Sequence, residues 1–154
     1  RKQVASTTSK KHSEEALTMF FNHEHTILAE RESVCMGDDC TAPNASALAF
    51  KPDMFISEWL NTVADYVPTM HNVVWSVHSH RKVLGYLIFD ISGDFSIELA
   101  VPDQPMSELG ISAVFCRYFY EGKLRNDTTD NEETNADPAC LTLVDKVKQY
   151  LRDK

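Results

Sequence analysis

The chain has 154 residues, a formal net charge of -8, 43% hydrophobic and 10% aromatic residues, and five glycines. That length suits one domain and that apolar content can fill a core, so a chain disordered throughout is excluded. The acidic balance excludes a general phosphate-backbone binder such as a nucleic-acid protein. No apolar run approaches the ~20 residues of a membrane-spanning helix, and neither GxGxxG nor GxxxxGK followed by Ser or Thr occurs.

Residues 1–12 are polar, basic and rich in Ser and Thr, and read as a flexible arm. Ser13-Glu14-Glu15 opens a helix read over 13–31, with Ala16, Leu17, Phe20, Phe21, Ile27 and Leu28 as its apolar stripe. Residues 35–49 hold Gly, Asp, Pro and Asn in turn positions and read as a loop. A second helix starts at Lys51-Pro52-Asp53, with Phe55, Trp59, Leu60 and Val63 on one face, and Pro68 ends it. The period then changes: 72–80, 83–91, 95–101 and 110–120 read as strands, separated by Ser92-Gly93-Asp94 and by Pro102–Pro105. Glu121-Gly122-Lys123 reads as a turn. Residues 126–139 are acidic and nearly free of apolar side chains, and read as a mobile loop. The stretch 140–154 closes with a short helix whose Leu141, Val144, Val147 and Leu151 share a face. The domain reading is thus one α+β unit over 13–125, with an arm before it and an acidic loop and helix after it.

Four cysteines, Cys35, Cys40, Cys116 and Cys140, allow three pairings, and the sequence selects none. Cys35 and Cys40 lack a second close pair that would complete a zinc site, so reduced, packed thiols are the plain reading. Sequons begin at Asn44 and Asn126, and no apolar leader follows Arg1. The reading leans cytoplasmic and leaves a secreted chain open.

A two-residue turn at Arg81-Lys82 would pair His80 with Val83 and put Val73, Trp75, Val77, Leu84, Tyr86, Ile88 and Asp90 on one face. A slip of one residue would exchange the faces. In that register Asp90 ends an apolar face, where burial would suit it to acid/base work; the competing reading is a turn-capping Asp. His78, on the other face, is the second catalytic candidate. It shares a side of the strand with His80, but no third ligand lies close in sequence, so no metal is expected. His23 and His25 point to different helix faces and read as solvated. There is no GxSxG elbow, and Cys116 reads as a packed thiol because its neighbour Arg117 points the other way. The aromatic side chains are core first. Where packing leaves a void, Trp59, Trp75, Tyr86, Phe115 and Tyr118 are its lining and the candidate substrate-binding residues.

The hairpin around His80-Arg81-Lys82-Val83, the strand and turn running from Phe115-Cys116-Arg117-Tyr118 to Glu121-Gly122-Lys123, and Ile27–Arg31 followed by Cys40-Thr41 together resemble the nuclear transport factor 2-like superfamily, over roughly residues 13–125. Within it the likeness is to the SnoaL-like polyketide-cyclase group. The resemblance implies a cone: N-terminal helices packed in a strongly curved antiparallel sheet around an apolar pocket. It also implies a cofactor-independent enzyme that isomerises, cyclises or dehydrates an apolar, ring-bearing polyketide- or terpenoid-like substrate. The His-Gln that many fungal members carry after the position of Cys40 is missing here, and 126–138 replaces an expected last strand, so no catalytic residue carries over by motif. The alternative is a non-catalytic ligand- or protein-binding module of the same fold, with a homodimer as one of its forms.

Overall fold

The computed structural model describes residues 25–34, 43–127 and 141–154. The arm 1–12, most of the first expected helix, three of the cysteines and most of the acidic loop lie outside these residues.

The first described element is a strand, β1 (Thr26–Arg31), and residues 26–31 are therefore not the end of a helix. Burial alternates along it: Ile27, Ala29 and Arg31 face inward while Leu28 and Glu30 face out. The contiguous Ile27-Leu28-Ala29 satisfies both the helical and the extended period, and pairing decides between them. A second correction follows. Residues expected in a loop form β2 (Ala45–Ala49), antiparallel to β1, with Ile27 opposite Leu48 and Ala29 opposite Ser46.

Helix α1 (Ile56–Tyr66) carries the expected Trp59, Leu60 and Val63 on its buried face, but it starts at Ile56 and not at Lys51-Pro52-Asp53, and Phe55 is its exposed N-cap residue. At its start the Glu58 carboxylate accepts from the Phe55 backbone N–H at 3.0 Å, which serves one of the helix's orphan donors. Asp103 accepts from both the backbone and the hydroxyl of Ser57, tying the helix to the later loop. Val67 caps the helix and Pro68 follows it. Then come β3 (Val73–Ser79), β4 (Lys82–Phe89) and β5 (Phe95–Leu99), a short helix α2 (Met106–Leu109) that the sequence does not announce, and β6 (Ala113–Phe119). The expected turn at 121–123 is instead the start of helix α3 (Glu121–Asp127), so Asn126 and Asp127 end a helix rather than begin a loop. Helix α4 (Leu143–Arg152) closes the chain, with Thr142 as its N-cap.

The six strands form one sheet in the order β2-β1-β6-β3-β4-β5. All neighbours are antiparallel except β1 and β6, so the expectation of a purely antiparallel sheet is corrected at its centre. A parallel contact requires a long crossover, and everything from β2 to α2 supplies it. Among the described strands, β6 thus enters between the β1–β2 and β3–β4 pairs.

One face of the sheet carries the main core. Ile56, Trp59, Leu60 and Val63 of α1 lie against Ile27, Trp75, Val77, Leu87, Val114 and Cys116. The opposite face is covered over β3, β4 and β6, where Val74, Tyr86 and Phe119 pack with Leu124 and Val147. Lys146 and Lys148 pin α4 by ion pairs to Glu121 and Glu98. Over β2 and β1 the same face leaves Leu28 46% exposed, and Phe115 on β6 is 38% exposed. No helix among the described residues is long and apolar enough to cross a membrane.

Candidate functional site

The β3–β4 hairpin decides where most of the candidate residues go. Ser79 pairs with Lys82, so the turn is His80-Arg81, one residue earlier than expected. His80 takes φ 53, as a tight hairpin requires of a central turn residue. The ladder then slips between Val77 and His78: Val77 pairs with Gly85, His78 with Val83, and Leu84 is the extra residue of a bulge. A Cβ on Gly85 would lie 2.9 Å from Leu60 Cδ1 and 3.0 Å from the Glu98 carbonyl oxygen, so the bulge needs glycine there. The slip exchanges the faces of β4. Leu87 and Phe89 join Val73, Trp75 and Val77 in the main core, while Tyr86 and Ile88 turn outward with Val74.

Asp90 consequently does not end an apolar face. It is exposed beyond the end of β4, and its Oδ1 accepts from the backbone N–H of Ser92 at 2.8 Å and of Asp94 at 3.0 Å. Its carbonyl accepts from Asn72 and Gly93. The side chain is spent on organising the turn. His71 donates through Nδ1 to the Ile91 carbonyl at 3.0 Å in the same region, since a carbonyl can only accept.

His78 is half-buried on the outer face. Its Nε2 shares a hydrogen bond with Ser76 Oγ at 2.6 Å, and Ser76 is fully buried. Burial first, and the Arg117 guanidinium second, hold the imidazole below its ordinary pKa, with Glu32 opposing them. Phe115 stands beside it as its partner on β6.

The five expected lining residues do not converge. Trp59 and Trp75 are fully buried in the main core, and Tyr118 packs at its margin with its ring 5.4 Å from that of Trp75. Tyr86 lies in the second cluster, under α4, and Phe115 is on the exposed part of the outer face. Asp90 and His78 stand near opposite ends of β3 and β4. Among the described residues no three His, Cys, Asp or Glu side chains gather as metal ligands would.

Two arrangements were not legible in the sequence. In the first, Glu32, just past β1, meets Lys123 at 2.7 Å and Arg117 at 3.5 Å. Lys123 also lies over the Tyr118 ring, 4.3 Å from its centroid. The second is an open groove of about 640 Å³ at the hairpin end, lined by Ser79–Lys82, Leu84 and Leu109–Ile111. Leu84 is buried at its base, Leu109 and Ile111 are half-buried, and His80, Arg81 and Lys82 are exposed. The basic triplet was visible in the sequence, but it read only as a turn. Its apolar counterpart lies some 30 residues later and comes alongside only because β6 enters between the hairpins.

Comparison with protein-family models, curated proteins and solved structures finds no match.

Proposed function

We propose that the chain is a protein-binding module without a catalytic role, which meets its partner at the β3–β4 hairpin end. The observation that carries this reading is the open groove there, where exposed cations border apolar side chains. Its neighbour on β6, Phe115, extends apolar surface onto the outer face. The placement of Asp90 and of four aromatic candidates supports the same reading: the Asp90 carboxylate serves a turn, and Trp59, Trp75, Tyr86 and Tyr118 pack in or against the two cores. A photo-crosslinking residue at Lys82 should give an adduct with a partner protein, while one at exposed Ile91, at the far end of β4, should not. The captured protein, once purified, should bind the wild-type chain and lose affinity for an Arg81→Glu, Lys82→Glu variant. Equal labelling from both positions would overturn the reading.

His78 favours a second reading, a cofactor-free proton-transfer enzyme of the SnoaL-like kind. A half-buried imidazole with a lowered pKa is neutral near pH 7 and free to accept a proton, and Phe115 and Arg117 flank it. The cone-shaped, nuclear transport factor 2-like architecture belongs with this reading. The packing of α1 on the sheet supports it, and the β1–β2 hairpin at residues 26–49 weighs against it. Isomerisation of a cyclic unsaturated ketone by the wild type, abolished in His78→Ala, would favour the enzyme; no turnover across pH 5–9 would remove it.

A further inference from the structure

We infer that the hairpin-end groove docks an acidic peptide segment bearing one apolar side chain. This rests on the binding-module reading and names the partner's chemistry.

Charge complementarity carries the argument. The chain as a whole is acidic, at -8. Five of its described cations, Arg117, Lys123, Arg125, Lys146 and Lys148, each sit in an ion pair. Arg81 and Lys82 sit in none among the described residues, although both line the groove and both are exposed. Two adjacent, unneutralised cations on the tip of a rigid hairpin present a local positive field in an otherwise negative molecule.

The floor of the groove narrows the partner further. Leu84, Leu109 and Ile111 offer no donor or acceptor side chain, so they suit an aliphatic or aromatic anchor and not a sugar or a phosphate. The groove is open at Gly110, where a built Cβ would meet nothing within 4 Å. A long polyanion fits poorly: two fixed charges would contact it locally while the net charge of -8 repelled the rest. A short acidic segment avoids that cost.

The test is fluorescence anisotropy with a short labelled peptide of Asp and Glu residues surrounding a single Leu, titrated with the full chain. The peptide should bind. Affinity should fall about tenfold or more in Arg81→Glu, Lys82→Glu, and that of the wild type should fall at raised salt. Replacing the peptide's Leu by Ser, or Ile111 by Asp in the protein, should weaken binding by a similar factor. The charge-reversal variant alters only exposed positions, Arg81 in the turn and Lys82 at the first residue of β4, and near-ultraviolet circular dichroism confirms that it folds. Several results overturn the inference: no binding, equal binding by a Lys-rich peptide, equal binding without Leu, or binding only of phosphatidylserine vesicles. If the peptide is inert while a crosslinker at Lys82 still captures a partner, the acidic occupant fails and the binding-module reading stands.

Discussion

The Glu32 carboxylate accepts a hydrogen bond from the Tyr118 backbone N–H at 3.2 Å and so replaces the carbonyl that β1 no longer supplies. The parallel ladder between β1 and β6 ends at Arg31 and Cys116, with one more bond from the Glu32 N–H to the Cys116 carbonyl. At the next rung the chain of β1 leaves, and its side chain takes over. The same oxygen accepts from Lys123, which also donates to the Tyr118 carbonyl at 2.8 Å. The strand end is thereby tied to the first turn of α3.

Removing that carboxylate leaves the Tyr118 N–H without its acceptor and takes from the Lys123 ammonium one of its two. Hydrogen bonds to charged groups contribute about 2 kcal/mol, and an orphaned buried donor costs a similar amount. Glu32→Ala is therefore expected to destabilise the fold by about 2 kcal/mol, and Glu32→Gln by about 1 kcal/mol, because the amide oxygen can still accept. Urea denaturation measures both. Equal midpoints for Glu32→Ala and wild type would remove this account.

The Asp90 turn gives a prediction that separates structure from catalysis. Asp90→Asn keeps an acceptor for the Ser92 and Asp94 N–H groups, while Asp90→Ala removes it. The alanine variant should lose about 1 kcal/mol and the asparagine variant a few tenths. Thermal unfolding distinguishes them. If both variants are equally destabilised, the charge rather than the turn hydrogen bonds is what matters at this position.

His78 links the outer face to pH. Its folded pKa lies below 6.5, chiefly through burial, so the unfolded chain takes up the proton first as pH falls. Its contribution is fully present above the unfolded value. It is lost as pH falls from that value through the lower folded pKa, and then levels off. The carboxylates act in a separate window. Glu121 and Asp145 are held below their ordinary values, by the hydrogen bonds from Lys146 and Thr142 respectively, so their contributions are lost only in more acidic solution. Stability measured from pH 8 to pH 5 should therefore decline in the wild type and stay flatter in His78→Gln. An imidazole resonance titrating at or above 6.5 in the folded protein would contradict the burial argument.

How much of this was legible depended on the period of each segment. Val73-Val74-Trp75 and Val114–Phe119 are β-branched and aromatic runs between breakers, and they form strands where expected. The stripe Trp59, Leu60, Val63 likewise gives α1. By contrast, Ala45-Ser46-Ala47-Leu48-Ala49 contains residues that favour helix, and only its pairing with β1 makes it extended. The hairpin faces could not be read because Leu84 bulged, which reverses the side-chain alternation along the rest of β4; the earlier turn alone would have left the faces as expected. The aromatic candidates were legible as core but not as a site. The groove was hidden, because residues 79–82 and 109–111 meet only through the placement of β6.

Cys116 offers a sharp check on the central strand. The sequence reads it as a packed thiol. Its side chain is fully buried in the main core, opposite Val77, and burial pushes its pKa up to about 12 despite the nearby Arg31. A thiolate is the reactive form, and at pH 8 this site holds almost none. Iodoacetamide applied to the native protein at pH 8, followed by peptide mapping, should leave the Cys116 peptide unmodified. The same treatment in denaturant should alkylate it fully. Loosening the packing against it should change that: Val77→Ala opens a cavity on the adjacent strand at a cost of about 2 kcal/mol, so more molecules unfold transiently. Native-state labelling of Cys116 should then rise exponentially with the lost stability, by roughly 30-fold for 2 kcal/mol. Rapid modification in the wild type would show that β6 opens readily, and that the centre of the sheet is not the stable frame on which the hairpin-end groove is built.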